Sequence, residues 1–246
     1  SSLTSTSMKL KSSNLQREAT ENEVLSSVFK VMKKRKRKGY VRMTLNAVNE
    51  PLLIELHCDI VPRTCANFLG LCRRQAYDNT TFHRLIPNFM VQGGKPSDGS
   101  EECYWGGSSP DEFDNRLKHE GSGVLSMANA GKNTNKRQFF ITFKSAPHLD
   151  RAHSVFGTII NERKPQLMLK LQKIGSDKHD KPLKEIRILQ TEIIADPFQE
   201  AQDLELERLE ELEASRSKTS IKESTAFTNE PVASKAPQVG KYLQDR

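Results

Sequence analysis

The chain has 246 residues, 35% hydrophobic and 28% charged, below the roughly 45–50% apolar share of an ordinary globular domain counted with glycine. That balance predicts a folded core flanked by polar segments, in one domain with extensions or two small ones. No run nears the roughly 20 apolar residues of a membrane span, and no apolar leader follows the first residues, which are Ser-Ser rather than Met, as in a fragment or processed product.

The net charge of +7 is uneven. Residues 1–38 hold ten Lys/Arg against three Asp/Glu, a balance equal to the whole net charge, so the rest is neutral in sum. The basicity concentrates in "KKRKRK", Lys33–Lys38, readable as a nuclear address, a nucleic-acid patch or a solvated linker. Cys58, Cys65, Cys72 and Cys103 form no CxxC pair and read as small buried residues, not a disulfide framework or zinc site.

In chain order, residues 1–38 read as a polar, basic, disordered linker, with a short helix around Glu21–Met32. "YVRMTL", Tyr40–Leu45, alternates as a strand and pairs through a turn with "LLIELHCD" in a hairpin. "VPRTCANFLGLCRRQ" has Pro62 at a helix start, and Cys65, Phe68, Leu69 and Cys72 recur at i, i+3, i+4 and i+7, one buried helical face. "TFHRLIPNFMVQGG", Thr81–Gly94, reads as two short buried strands broken at Pro87–Asn88, with Arg84 inside the apolar frame. An unpartnered buried guanidinium is costly, so Arg84 needs a counterpart or a groove.

Further on, "GSGVLSMANAG", "RQFFITF" and "HSVFGTII" read as strands, "PQLMLKLQKI" as a second amphipathic helix from Pro165, and "LKEIRILQTEII" as a closing strand. About eight short strands and two helices predict a mostly β fold: a closed, eight-stranded antiparallel barrel capped by two helices, spanning 39–197, with flexible extensions at both ends. Residues 198–214, "QEAQDLELERLEELEAS" with its flank, read as an acidic helical arm, and 215–246 as a flexible tail.

Three segments in order, "FHRLIPNFMVQGG", "LSMANAGKNTNKRQFFITF" and "HLDRAHSVFG", together resemble the cyclophilin family of peptidyl-prolyl cis-trans isomerases, from about Tyr40 to Ile194. "LTSTSM", "YWG", "DPFQEA" and "VGKY" are similar to the C-terminal part of the U-box cyclophilins, which are nuclear and tied to the spliceosome; no U-box is present in the chain, and ligase activity is not implied for it. The resemblance implies isomerisation of Xaa-Pro bonds, with Arg84 as the catalytic arginine. Phe89 and Met90 would form the pocket floor and Gln92 a positioning amide. Ala128 and Asn129 would hold the peptide backbone, while Phe140, Leu149 and His153 complete the wall. His148 stands where active members often carry tryptophan, which implies weakened cyclosporin binding. Trp105 and Tyr104 lie outside the pocket motif and read as packing.

The implied partners are proline-containing segments of proteins, spliceosomal ones among them, met by a monomer in the nucleus, with the cytoplasm as an alternative location, and with no membrane contact. The alternative in another class is a proline-binding module with little turnover, and a third option, less favoured, is nucleic-acid binding through Lys33–Lys38. No cofactor and no metal are implied. Lys132 replaces the family's usual proline, and Lys136–Arg137 stand where small residues line the groove rim, cations that would either favour acidic residues near the proline or partly block that pocket.

Overall fold

Alternation of apolar and polar residues builds the first two strands. In β1 (Gly39–Leu45) Val41, Met43 and Leu45 are buried while Arg42 is exposed, and β2 (Leu52–Leu56) buries Leu52, Ile54 and Leu56. Successive strand residues point to opposite faces, so this pattern places one face of each strand on a core. The computed structural model describes residues 25–96, 99, 101–201 and 203–204. Within them follow α2 (Pro62–Arg73), β3 (Arg84–Ile86), β4 (Met90–Gly93), β5 (Val124–Met127), β6 (Phe139–Thr142), β7 (Val155–Ile159), α3 (Lys164–Gln172) and β8 (Ile188–Ala195).

The eight strands form one antiparallel sheet in the order β3-β4-β6-β5-β7-β2-β1-β8. Its ends are drawn together by the segment before β3: Thr81 bridges Arg187, Phe82 N–H donates to the Ile186 carbonyl at 2.8 Å, and Ile188 N–H donates to the Thr80 carbonyl at 2.8 Å. Those bonds curl the sheet into the expected eight-stranded barrel. Between β3 and β4 the chain turns at Pro87–Asn88, with Asn88 at φ 60°, a left-handed conformation asparagine tolerates.

The barrel is filled by aromatic side chains gathered around Phe68 of α2, whose ring lies 5.1 Å from Tyr77, 5.5 Å from Phe139 and 5.1 Å from Phe156. The helix has no capping side chain of its own. Instead the Glu112 carboxylate accepts from the Thr64 N–H and hydroxyl at 2.7 and 2.8 Å, supplying negative charge to a helix N-terminus whose N–H groups lack partners. α3 buries Leu167, Met168 and Leu171. All four cysteines are free and buried, and burial pushes the Cys65 and Cys72 thiols up, which keeps them unreactive.

The described structure includes a helix upstream of Tyr40: α1 runs over residues 25–35, and its Val28 and Met32 are almost fully buried. The short helix expected around Glu21–Met32 is thus present at 25–35, but as part of the folded unit and not within a disordered linker, anchored by two buried apolar residues at i and i+4. Helical residues at 197–201 and 203–204, here α4, bury Phe198 and Ala201. The remainder of the acidic arm and the tail at 215–246 lie outside the described residues, as do residues 1–24.

Candidate active site

β5 and β6 are buried on both faces, unlike β1 and β2. Phe139 points into the barrel, so its neighbour Phe140 points out, onto a face covered by loops. The pairing register then fixes what stands beside Phe140. Arg84 of β3 pairs with Gln92 of β4, Gln92 with Phe140 of β6, and Phe140 with Ser126 of β5. Four strands thus contribute one residue each to a single row across the outer face. Met90 lies one step along, paired with Thr142.

Arg84 is exposed, with 46% of its side chain open to solvent, and not enclosed by the apolar residues around it in sequence. Its Nε and Nη2 donate to Oδ2 of Asp180 at 3.1 and 3.0 Å. The counterpart required by the guanidinium is therefore an acid 96 residues away. Gln92 Nε2 donates to Oε1 of Gln138 at 3.0 Å, and Gln138 Nε2 donates to Glu101 at 2.7 Å. This relay fixes the Gln92 amide by its NH₂ end and leaves its carbonyl oxygen outside the relay.

Phe89 is half-buried and stacks on the exposed His148 ring, centroids 5.6 Å apart at 24°. Met90 is buried at 5% exposure. His148 and Leu149 belong to a short 3-10 turn, Pro147–Leu149. That turn leads to His153, whose backbone N–H donates to the Leu149 carbonyl at 3.1 Å. His153 Nδ1 lies 3.0 Å from the Met127 carbonyl and donates to it. Its ring meets Phe140 edge-on at 5.4 Å and 88°.

Behind Phe140 lies a group that the motif reading did not single out. His119 is 1% exposed and stacks flat on Phe140, 5.8 Å away at 10°. Its Nδ1 donates to Asp150 at 2.8 Å and its Nε2 accepts from the Ser126 hydroxyl at 2.9 Å. Burial pulls the His119 pKa below the ordinary histidine value, against the raising effect of Asp150. Ser126 is fully buried, so this Asp–His–Ser chain reaches no substrate and serves as a strut for the wall.

A cavity of about 420 Å³ adjoins the row, lined by Gln92, Glu101, Ala128, Asn129, Lys136 and Gln138 among others. Asn129 Nδ2 donates to the Ala152 carbonyl at 2.8 Å. Lys136 belongs to this lining, whereas Arg137 does not stand at the rim as expected: it is 7% exposed, and Nη2 donates to the Ala76 carbonyl. Alternation along the approach to β6 explains it, since Lys136 and Arg137 point to opposite faces. Trp105 is 36% exposed, beneath the Arg63 guanidinium, and Tyr104 lies 4.1 Å from that of Arg74. Among the described residues no cluster of His, Cys, Asp and Glu is arranged to hold a metal.

Of the residues read from sequence, Arg84, Gln92 and Phe140 share the cross-strand row, with Met90 beside it. Gln92, Ala128 and Asn129 meet at the cavity, and Phe89 with His148 forms a stacked pair at the turn. Asp180, His119, Asp150 and the Gln138–Glu101 relay were not found from sequence. Of these, Gln138 lies in the "RQFFITF" segment and Asp150 in the "HLDRAHSVFG" segment, so both carried a signal.

Residues 40–193 match the family described as cyclophilin type peptidyl-prolyl cis-trans isomerase/CLD. Peptidyl-prolyl cis-trans isomerase-like 2 of Rhizopus delemar is 44% identical over 172 residues, covering 69% of this chain and 32% of that one. Peptidyl-prolyl cis-trans isomerase CYP18-2 of Arabidopsis thaliana is 44% identical over 155 residues, 62% of this chain and 93% of that one. A solved Cryptosporidium parvum cyclophilin type peptidyl-prolyl cis-trans isomerase, crystallised in the presence of the dipeptide Ala-Pro, superposes with a TM-score of 0.58 at 37% identity, over 64% of this chain and 99% of that one. The chain spans about a third of the length of the curated relatives that head the comparison, 29% and 32%.

Proposed function

The chain belongs to the cyclophilin-type peptidyl-prolyl cis-trans isomerase family, and from that membership we propose that its barrel catalyses rotation about Xaa-Pro bonds of protein segments laid across the outer face of β3, β4, β6 and β5. The observation that carries this reading is the row Arg84–Gln92–Phe140, which sets a cation, an amide and an apolar ring side by side on a rigid sheet.

The chemistry needs little more. Rotation about the amide is slow because resonance gives the C–N bond double-bond character. In the twisted transition state that resonance is lost and the proline nitrogen recovers its lone pair. Arg84 donates to that nitrogen or beside it, favouring the twisted over the planar amide. Phe140, Met90, Phe89 and Leu149 hold the pyrrolidine ring, His153 closes the wall by shape, and Gln92 and Asn129 position the flanking backbone. A gain of about 10⁵ in rate requires about 7 kcal/mol, at 1.36 kcal/mol per tenfold. Oriented binding and one charge-assisted hydrogen bond are of that order.

The test is a coupled isomerisation assay on Xaa-Pro peptides. The chain accelerates isomerisation, and Arg84→Ala removes most of the acceleration, roughly 10²-fold or more in kcat/KM, while leaving the fold intact. No acceleration from a folded chain across several Xaa residues sinks the reading.

A second reading is favoured by the exposed His148 where many active members carry tryptophan: a proline-binding module with little turnover, docked in a nuclear assembly such as a spliceosome or a ubiquitin-ligase complex. Peptide binding detected by chemical-shift changes at Phe140 without acceleration would favour it. The nuclear location rests on exposed Lys33–Arg37 at the end of α1. Replacing those cations with alanine in a fluorescent fusion should abolish nuclear accumulation.

A further inference from the structure

The ion pair between Arg84 and Asp180 raises a question that membership of the family leaves open: why an acid from the far side of the sequence holds the arginine proposed to act on the substrate. The segment bearing Asp180 is built with care. Gly175 and Leu183 close it with a bond of 3.1 Å, and Ser176 bridges Pro182. Inside, the Asp177 carboxylate accepts the N–H groups of His179 and Lys181 at 2.8 and 3.0 Å. These bonds hold the Asp177 carboxylate below its usual range. Asp180 N–H donates to the Asp177 carbonyl at 3.1 Å, completing a tight turn.

At its tip Asp180 takes φ 61°, in the left-handed region that a non-glycine residue enters at a cost and that aspartate tolerates better than most. Its carbonyl accepts the Leu85 N–H at 2.7 Å, docking the turn onto β3 beside Arg84. From that seat Oδ2 takes both Nε–H and Nη2–H of Arg84. Among the described residues Nη1 donates to no protein group. The pair is half open to solvent, 46% and 39% for the two side chains, so it contributes little to stability. What it does supply is orientation: a long, flexible side chain is held by one edge while its other edge stays free.

We propose that Asp180 is a positioning residue for the isomerase reaction, fixing the Arg84 guanidinium by its Nε/Nη2 edge so that the Nη1 edge is presented to the twisting amide. This rests on the reading of Arg84 as the group that donates to that amide. A preoriented donor loses no rotamer freedom at the moment of reaction, so the benefit falls on kcat rather than on KM.

The experiment uses the whole chain with Asp180→Asn and Asp180→Gly, both of which accept φ above zero and keep the carbonyl that holds Leu85. Each variant should lose about tenfold in kcat with KM and melting temperature unchanged, with Asp180→Asn, which keeps an acceptor oxygen, less affected. In an Arg84→Ala background Asp180→Asn should have no further effect, since a positioning residue acts only through the group it positions. The Arg84 Nε–H resonance should show a high order parameter in the parent and a low one in either variant.

If Arg84→Ala is inactive but both Asp180 variants keep or exceed parental kcat, the positioning role is wrong and the Arg84 reading stands. If Arg84→Ala matches the parent, or the parent itself is inactive, both ideas fall. An Nε–H as mobile in the parent as in Asp180→Asn overturns the positioning role whatever the activity shows.

Discussion

At position 137 a guanidinium stands inside the protein. Arg137 donates through Nη2 to the Ala76 carbonyl, its charge lies 6.0 Å from the Tyr77 ring centroid, and its own carbonyl accepts the Tyr77 hydroxyl at 2.9 Å. Arg137→Ala strips Ala76 of a buried partner and should cost about 1–3 kcal/mol in urea unfolding. It should leave the ratio of kcat/KM on Glu-Pro and Ala-Pro peptides unchanged, whereas Lys136→Ala, on the cavity side, should lower that ratio a few-fold. A change of preference in Arg137→Ala would return that residue to the rim. His119 yields a pH dependence. Its folded pKa lies below the unfolded value of about 6.5, so the stabilisation is complete above that value and is lost as pH falls through the folded pKa. Asp150 acts in the same direction at lower pH: despite the opposing effect of burial, hydrogen bonds from His119 depress its pKa, and that stabilisation fades as pH falls through the depressed value. Unfolding free energy should therefore decline from pH 7 to pH 5 with a slope of at most about 1.4 kcal/mol per pH unit from this histidine, and His119→Gln should make that limb shallower, while His57 and His83, whose pKa values burial also lowers, keep their share of it. A parental profile that is already flat there would contradict the assignment. Residue identities in the row were legible because a motif carried them. Asp180 was not, because nothing local in "DKHDKP" reveals that its turn docks on β3.

Elements were legible to the degree that their periodicity was one-sided. β1 and β2 alternate cleanly and were placed within a few residues of their ends, whereas β5 and β6 are apolar on both faces, so sequence alone does not say which side of Phe139–Phe140 faces the barrel. The covering loops decide it, and they were readable only as loops. α1 was half legible: its position was near, but its burial was masked by the lysines that follow. β7 carries the sharpest test at this scale. Gly157 pairs with Leu56 and Leu125, and a Cβ there would lie 2.8 Å from the Glu55 carbonyl oxygen, which belongs to the neighbouring strand's backbone. No side-chain rotation relieves that contact, so β2 and β7 must separate. Gly157→Ala should cost about 1–3 kcal/mol by chemical denaturation. The clash at Gly93 is with the Phe82 ring, a side chain and not backbone, so Gly93→Ala should cost less even though that ring is itself buried. Equal costs would mean that the strands yield as easily as the ring does.

Across the whole described unit, the sheet order joins the beginning of the chain to its end. β1 lies between β2 and β8, and Arg42 pairs with Glu192, 150 residues on, at 2.7 Å. Closure into a barrel was foreseeable from the number of strands, but the pairing of β1 with β8 was not, since a count of strands carries no strand order. The flanking helices repeat the join outside the sheet: the ring of Phe29 on α1 meets that of Phe198 on α4 edge-on, centroids 6.0 Å apart at 86°, and Arg37 lies 3.7 Å from Glu200. The ion pair is mostly exposed and screened, so the aromatic contact has to carry the coupling. Edge-to-face pairs contribute about 0.5–1.5 kcal/mol beyond area burial. A double-mutant cycle with Phe29→Ala and Phe198→Ala measures this directly, because each substitution also removes packing of its own that the cycle cancels. A coupling of about 1 kcal/mol, unaffected by 0.5 M salt, is expected if the two helices clasp one another. A coupling near zero would mean that each packs on the barrel independently, and that the helical extensions before β1 and after β8 are separate additions to it.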